Sequence, residues 1–236
     1  MPRIVGPSDV AEFRSRVCVA ATELYAEVGH DGFNMRKLAA RLGVSAMTTY
    51  RYFKDKNEIL AALRAQAFAR LADILQTAGD TSGSIEERFS AVGRAYAEFA
   101  REHQVYYRLM FDLSQASATI SPEFRREEFR AREALTNHVR HLADAGYFEG
   151  DSDLLGQVLW SAIHGVVALN LAGKLPDAEF DRVLSETLRL LANARGHIFQ
   201  FEPIQVEPTD ARLASRINGV GTPGYKSSPL LLSPAE

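Results

Sequence analysis

The segment NMRKLAARLGVSAMTTYRYFKDKNEIL, from Asn34 to Leu60, contains the turn signals that decide the fold. Asn34 can cap a first short helix, Gly43 can supply the left-handed residue that ends it, and Ser45 can cap a second helix. The small side chain of Ala39 allows the two helices to cross closely. This spacing predicts a helix-turn-helix motif, whose second helix would enter the major groove of DNA.

The second short helix and the residues after it carry side chains suited to DNA. Threonine can hydrogen-bond base edges, methionine can contact a thymine methyl group, and tyrosine and lysine suit phosphate oxygens. Asp55, followed three residues later by Glu58, predicts the cap of a long helix and places Lys56 at a helix N-terminus, where anions bind. The candidate base-reading residues are Ala46, Met47, Thr48 and Arg51, and the candidate phosphate contacts are Tyr50, Tyr52, Lys54 and Lys56. The alternative is a helical hairpin with a solvated charged face.

The composition is that of a folded globular protein rather than a disordered one. The 236 residues are 46% hydrophobic and 24% charged, with a net charge of −3. Up to Leu60, nine lysines and arginines face seven aspartates and glutamates, so this part carries +2 and the remainder −5. Such a balance favours a small DNA-binding module attached to an acidic body.

Cysteine usage and the N-terminus predict a cytoplasmic protein. Cys18 is the single cysteine, so no intrachain disulfide can form, and its position on an apolar helix face predicts burial. The first residues, MPRIVGPSDV, lack the apolar segment of a secretion signal. No uninterrupted apolar run reaches the roughly 18 residues that a membrane span needs, so no membrane association is expected.

Apolar residues recur at spacings of three and four along most of the chain, which predicts an all-α fold of about nine helices. The first helix is expected from Val10 to Val28, with Gly29 as its stop signal. We predict a DNA-binding domain at residues 9–55, a helical effector-binding and dimerisation domain at residues 56–200, and a flexible C-terminal segment at residues 201–236. Five of the nine prolines lie in that last segment, at Pro203, Pro208, Pro223, Pro229 and Pro234.

Helix one (FRSRVCVAATELYAEVGHDGF) and the helix-turn-helix segment together resemble the TetR family of transcriptional regulators. The resemblance implies a three-helix DNA-binding domain joined by helix four to a larger ligand-binding and dimerisation domain. It assigns Asn34, Tyr50 and Lys56 as phosphate contacts and places Ser45 on or beside the base-reading face. Thr49 departs from the leucine or isoleucine usual in the family, which predicts less apolar packing there.

The segment WSAIHGVVALNLAG, from Trp160 to Gly173, resembles the Trp-x-x-x-His-Gly segment of one branch of that family. Small residues at Ser161, Gly165, Ala168 and Ala172 form a stripe where another helix could approach. In this family the last two long helices pair with those of a second subunit, which implies a homodimer. The residues expected to furnish the second helix of that interface are Phe180, Val183, Leu184, Thr187, Leu188 and Leu191.

Aromatic and polar side chains of the middle helices are the candidate effector contacts, although most such residues simply fill a core. The candidates are Tyr96, Phe99, Tyr106, Tyr107, Met110, Phe111, Phe129, His138, Trp160, His164 and Asn170. Because obvious buried charges are few among them, we expect a largely apolar or aromatic small molecule held by one or two polar groups.

Other possible sites have weaker support in the sequence, and no cofactor is expected. His138, His141 and Asp144 have a spacing that could bind a metal, but a surface pair of histidines is the better interpretation. Glycines 219, 221 and 224 match a dinucleotide motif without its strand and helix. An all-α enzyme using His138, His164 or Cys18 is disfavoured because no catalytic motif is present.

The sequence therefore predicts a repressor that a small effector releases from a pseudo-palindromic DNA operator. The expected partners are double-stranded DNA, the effector and a second copy of the chain. A regulator of the same fold that senses a protein partner remains the alternative.

Overall fold

The computed structural model describes residues 7–111, 121–147 and 151–192, and all regular secondary structure within these ranges is helical. The helices are α1 (Pro7–Gly32), α2 (Met35–Leu42), α3 (Ala46–Tyr50), α4 (Lys56–Gly79), α5 (Ile85–Glu102), α6 (Gln104–Phe111), α7 (Pro122–Asp144), α8 (Ser152–Leu171) and α9 (Asp177–Ala192). The predicted all-α fold is confirmed. The C-terminal segment 201–236, with its glycine motif, lies outside the described residues.

Helix α1 contains a break at the glycine expected to stop it. Gly29 has φ 64° and ψ −170°, so the helical conformation is interrupted there although the last turn continues to Gly32. A left-handed φ of this kind is readily adopted only by glycine. Cys18 and its neighbour Val17 are buried on the inner face of α1, as predicted.

Two clusters of buried side chains organise the described residues. The smaller cluster joins α1, α2, the segment after α3 and the start of α4, with Leu24, Leu38, Phe53 and Ile59 at its centre. The larger cluster joins the rest of α4 to helices α5 through α9. Helix α4 therefore belongs to both clusters.

Helix α6 also contributes to both clusters, although it has only eight residues. Leu109 is fully buried in the smaller cluster, whereas Tyr107 and Met110 are buried in the larger one. Side chains two residues apart on a helix point to different sides. This short helix consequently lies between the two cores.

Helix α8 is apolar on two sides, which explains why its length and composition alone would suit a membrane span. Leu159, Ile163 and Val167 are buried in the larger core. Leu154 and Leu169 are each 53% exposed on other faces. The burial of one face is what a core helix shows, and the second face is available to another chain.

The expected interface on α9 is wrong for three of its six residues. Phe180, Leu184 and Leu188 are buried within the chain's own larger core, so they cannot meet a second subunit. Leu188 fits there because Gly93 of α5 lacks a side chain that would clash with it. Val183, Thr187 and Leu191 are only partly buried, and Leu190 is 56% exposed.

Candidate nucleic-acid interface and effector site

The caps of the helix-turn-helix motif form as predicted. The Asn34 side chain accepts a hydrogen bond from the Lys37 backbone N–H at 3.0 Å, and Ser45 Oγ accepts from the Thr48 N–H at 3.2 Å. Gly43 has φ 67° and ψ 29° and ends α2 in the left-handed conformation. These local bonds fix the direction of α3 relative to α2.

Helix α3 separates its side chains into an inner and an outer set. Thr49 of α3 is 0% exposed and Phe53, just after the helix, is 1% exposed, whereas Met47 and Tyr50 of α3 are 73% and 48% exposed. Burying a hydroxyl is costly unless it finds a partner, and Thr49 Oγ1 donates to the Ala46 carbonyl at 2.7 Å. The threonine at this unusual position is therefore accommodated within the core.

The nine candidate DNA contacts all lie at the surface of this motif. Asn34, Ser45, Met47, Tyr50, Arg51 and Lys54 are exposed, and Ala46, Thr48 and Lys56 are partly buried. Tyr52, the other tyrosine considered, is partly buried and packs on Phe13 with ring centroids 4.3 Å apart. The hydroxyl groups of Ser45 and Thr48 lie 2.9 Å apart and can hydrogen-bond each other.

Asp55 caps α4 through a bond from the Glu58 N–H at 2.9 Å. In a capping box the Glu58 side chain would accept from the Asp55 N–H, but here Glu58 Oε2 accepts from the backbone N–H of Lys54 at 2.6 Å. The carboxylate thus reaches one residue further back and holds the segment that joins α3 to α4.

Arg14 of α1 is a positioning residue that the sequence did not indicate. Its guanidinium lies over the Phe53 ring at 4.0 Å, donates to the Tyr52 carbonyl and pairs with Glu58 at 3.5 Å. These partners are 38 or more positions away in the chain, so no local pattern could reveal them. Arg14 ties the end of the recognition motif to α1.

A second arginine absent from the sequence predictions connects α4 with α7. Arg130 donates to Asp73 at 2.7 Å and to the Ala69 carbonyl at 3.1 Å, and its Nε donates to Glu127 at 2.9 Å. The pKa of Glu127 is lowered by its bonds to Arg126 and Arg130. Glu127 is therefore a carboxylate with two cationic partners.

Five of the candidate effector contacts come together in one aromatic cluster formed by α5, α6 and α8. Its members are Tyr96, Tyr107, Phe111, Trp160 and His164. The Phe111 ring lies 4.5 Å from His164 and 4.9 Å from Tyr107, measured between centroids. Tyr107 stacks on His164 at 5.5 Å, and Phe111 lies 6.2 Å from Trp160.

Hydrogen bonds connect the polar atoms of this aromatic cluster. The hydroxyls of Tyr107 and Tyr96 lie 2.7 Å and 3.1 Å from Nδ1 of His164. Trp160 Nε1 donates to the Tyr96 hydroxyl at 3.1 Å. Burial raises the pKa of Tyr96 to about 12, raises the pKa of Tyr107 further, and lowers the pKa of His164. All three side chains are therefore uncharged at neutral pH.

The other candidate effector contacts lie elsewhere. Phe99 is buried beside His103, and Phe129 is 54% exposed on the surface of α7. The Asn170 side chain donates to the Leu175 carbonyl at 3.0 Å and to Asp177 at 2.9 Å, so it stabilises the turn between α8 and α9. Tyr106 and Met110 flank the aromatic cluster on α6, Tyr106 partly buried and Met110 buried.

His138 lies apart from the aromatic cluster, on the α7 surface near Gly79 and Asp80 of α4. Its ring lies 6.0 Å from that of His141, and burial lowers its pKa. Of the expected surface pair, His138 is partly buried and His141 is exposed. Among the residues that the structure describes, no three histidine, cysteine, aspartate or glutamate side chains converge as metal ligands.

Two family models match the chain. Residues 18–63 match the model for bacterial regulatory proteins of the tetR family, and residues 89–191 match the model for the tetracyclin repressor-like C-terminal domain. Together the two ranges span more than half of the chain. They contain α2 and α3 in the first case and the aromatic cluster in the second.

Individual relatives extend these matches. The chain is 26% identical over 192 residues to tetracycline repressor protein class D of Escherichia coli, which covers 78% of this chain and 81% of that protein. It is 27% identical over 128 residues to the HTH-type transcriptional activator FasR of Mycolicibacterium smegmatis, covering 54% and 57% of the two chains.

A solved structure of a protein of unknown function from Rhodococcus sp. RHA1 shares the fold, with a TM-score of 0.70 and 24% identity over 83% of this chain and 98% of that chain. The helix-turn-helix geometry, the helical C-terminal region and both family models all indicate the same family. The protein belongs to the TetR family of bacterial transcriptional regulators.

Proposed function

We propose that this protein is a dimeric repressor whose affinity for a pseudo-palindromic DNA operator falls when an uncharged, largely apolar or aromatic effector binds near His164. The observation that carries the DNA-binding part is the division of α3 into a buried face and an exposed face. Met47 and Tyr50 project from a helix whose opposite side is anchored by the buried Thr49 and, just after the helix, by the buried Phe53. A helix held in this way can enter the major groove without losing its own packing.

The proposed DNA contacts divide into two groups with different consequences. Ala46, Met47, Thr48 and Arg51 would contact base edges, and changes there would alter sequence preference. Asn34, Tyr50, Lys54 and Lys56 would contact phosphates and would strengthen binding to every sequence, and Ser45 would lie on or beside the base-reading face. Tyr50, Arg51 and Lys54 are exposed, so they are accessible to a DNA duplex.

A homodimer is supported by the apolar surface that α8 and α9 leave exposed. Leu154 and Leu169 of α8 and Leu190 of α9 are all more than half exposed, and the α8 stripe at Ser161, Gly165 and Ala168 is not fully buried. A Cβ atom added at Gly165 would have no neighbouring atom within 4 Å among the described residues. Pairing of α8 and α9 with a second copy would cover this surface and set two α3 helices about one DNA turn apart.

The DNA part is tested by measuring the affinity of the purified protein for operator fragments selected from a genomic DNA pool. Lys56→Ala should weaken binding to all fragments alike and reduce the slope of log affinity against log salt by about one. Thr48→Ala should instead change which fragments bind best. The matched control is Lys174→Ala, an exposed lysine in the turn between α8 and α9. If Lys56→Ala left both affinity and salt slope at the values of that control, the phosphate contact would be wrong.

The repressor mechanism is tested by linkage between the two ligands. An effector that favours one dimer geometry must weaken operator binding by the same factor by which the operator weakens effector binding, typically ~5–150-fold. Calorimetry of a binding compound with and without operator duplex measures that factor. Equal affinity in both titrations would show that the compound is not an inducer.

A further inference from the structure

His164 has one nitrogen inside the hydrogen-bonded part of the aromatic cluster. Two hydroxyl groups, from Tyr107 and Tyr96, lie within hydrogen-bonding distance of Nδ1, at 2.7 Å and 3.1 Å. The Tyr96 oxygen also accepts from Trp160 Nε1, so its own proton must go to another acceptor. Both tyrosines are at least 95% buried, and unsatisfied hydroxyls would be costly there.

The positions of these protons select one tautomer of the neutral ring. Nδ1 offers a single lone pair, and as the acceptor it takes the Tyr107 proton from the closer hydroxyl. The Tyr96 proton then shares that lone pair or goes to the Tyr107 oxygen, with which Tyr96 can also form a hydrogen bond. With a proton on Nδ1, the ring would itself donate to a hydroxyl, and one tyrosine proton would have no acceptor among the described cluster residues. The first arrangement satisfies more donors, so the proton of neutral His164 belongs on Nε2.

The opposite edge of the ring is therefore a hydrogen-bond donor. His164 is only partly buried, and Nε2 has no hydrogen-bond partner among the residues that the structure describes. Phe111 and Trp160 lie beside this ring and provide apolar surface. An N–H without a described partner, next to aromatic rings, suits a ligand that presents one acceptor atom on an apolar body.

Among the residues that the structure describes, no charged side chain forms a hydrogen bond or an ion pair with His164. Burial of the ring lowers the pKa of His164. A carboxylate placed against a neutral imidazole in such a site would lose its hydration without gaining a counter-ion. A carbonyl oxygen pays a much smaller desolvation cost.

We infer that His164 Nε2–H donates a hydrogen bond to an uncharged carbonyl oxygen, of a ketone, ester or amide, on an aromatic or apolar effector. This inference deepens the proposed function, because it names the chemical group that the effector site recognises. Tyr96, Tyr107 and Trp160 act as positioning residues, since they hold the tautomer without touching the carbonyl.

The tautomer can be measured without any ligand. Long-range ¹H–¹⁵N correlation spectra of the full-length protein distinguish a protonated Nε2 from a protonated Nδ1, and the His164 signal is assigned by its loss in His164→Gln. We expect Nε2 to carry the proton at pH 7.5. In Tyr107→Phe the preference should weaken, because Nδ1 loses its closer donor. A ring protonated on Nδ1 in the unaltered protein would overturn the inference.

Ligand preference is measured with pairs of compounds that differ in a carbonyl group. The pairs are acetophenone with ethylbenzene, benzophenone with diphenylmethane, and cyclohexyl phenyl ketone with benzylcyclohexane; diphenylacetate is the charged comparison. A single neutral hydrogen bond predicts that the carbonyl member of a pair binds roughly fivefold tighter. Equal affinities within every pair, tighter binding of diphenylacetate, or no binding by any carbonyl compound would each overturn the inference.

Two variants of His164 test whether the position of the N–H donor, rather than the imidazole ring itself, determines the preference for a carbonyl. His164→Gln places an amide N–H near the position of Nε2 and should keep the preference for the carbonyl member. His164→Asn reaches only the position of Nδ1 and should lose it. His141→Gln, which changes an exposed histidine of α7, is the matched control and should behave as the unaltered protein. A preference that survives in His164→Asn would contradict the assignment.

Operator binding distinguishes failure of this inference from failure of the proposed function. A protein that binds operator DNA but shows no carbonyl preference would remain a DNA-binding regulator with a different effector chemistry. Carbonyl compounds that bind at His164 without changing operator affinity would leave the ligand chemistry intact and refute the effector role.

Discussion

The helix-turn-helix segment and the aromatic cluster both combine aromatic rings with polar groups, but they are built over very different distances in the chain. The caps at Asn34, Gly43 and Ser45 use partners within five residues. The hydrogen bonds to His164 join residues 57 and 68 positions apart. One region places its functional side chains outside a locally fixed frame, whereas the other exists only after three helices have packed. The hydrogen bonds of the aromatic cluster should therefore be sensitive to substitutions at positions distant in the sequence.

The largest expected effect comes from replacing Phe53, the buried aromatic residue of the helix-turn-helix segment. Phe53→Ala should destabilise the protein by about 3–5 kcal/mol, because it opens a cavity in the smaller core and removes the ring beneath Arg14. Urea unfolding followed by circular dichroism measures this loss. DNA binding should fall with it.

Tyr50→Ala is the matched change on the exposed side of the same segment. It should alter stability by less than about 0.5 kcal/mol, because the ring is 48% exposed, while still weakening DNA binding. Comparable destabilisation by both variants would mean that the two faces of this segment are not distinct.

A smaller effect is expected from Tyr96→Phe in the aromatic cluster. This change removes the acceptor of the Trp160 N–H and one donor to His164, which predicts a loss of about 1–3 kcal/mol. Tyr106→Phe is the control on α6, because its hydroxyl has no hydrogen-bond partner among the described residues. Equal unfolding midpoints for the two variants would show that the network adds no stability.

Thr49→Val tests whether the unusual threonine of the helix-turn-helix segment is only a packing residue. The valine has nearly the same shape but lacks the hydroxyl that bonds the Ala46 carbonyl, so we expect a loss of about 1 kcal/mol or less. Thermal unfolding with and without operator DNA measures it. A loss as large as that of Phe53→Ala would indicate a role beyond this one bond.

The smallest expected effect is a pH dependence that originates in the aromatic cluster. Because burial lowers the folded-state pKa of His164, the unfolded chain takes up its proton first as the pH falls through about 6.5, and folding stability decreases. Melting temperatures between pH 7.5 and pH 5.5 should fall less steeply in His164→Gln. His138 contributes in the same direction, so part of the slope should remain. An unchanged slope in His164→Gln would contradict either the direction of the pKa shift or its assignment to His164.

The sequence predicted the frame of the helix-turn-helix segment better than the aromatic cluster, for a physical reason. Caps and turn glycines act through bonds to residues three to five positions away, so Asn34, Gly43, Ser45 and Asp55 could be recognised directly. The aromatic candidates could be named, but only tertiary packing decides that Trp160 joins the cluster while Phe129 faces the solvent.

Periodicity alone also failed to distinguish a core from an interface on α9. Phe180, Leu184 and Leu188 form the apolar stripe expected of either, and the structure buries them in the chain's own core. Arg14 had no sequence signal, because its partners at Tyr52, Phe53 and Glu58 are brought to it only by folding. Long-range polar contacts of this kind depend on the arrangement of helices rather than on any local pattern.

Helix α6 connects the aromatic cluster directly with the smaller core. Tyr107 touches His164, and Leu109, two residues later, is sealed inside the core that supports α3. A shift of this helix by about 1 Å would displace both side chains together, because a helix backbone is stiff and well-packed cores transmit strain. Along α6, the residue that contacts His164 and the residue in the smaller core are separated by about 3 Å of helical rise. Under the proposed function, a compound that contacts His164 without shifting α6 should therefore bind without releasing the operator and should compete with inducers.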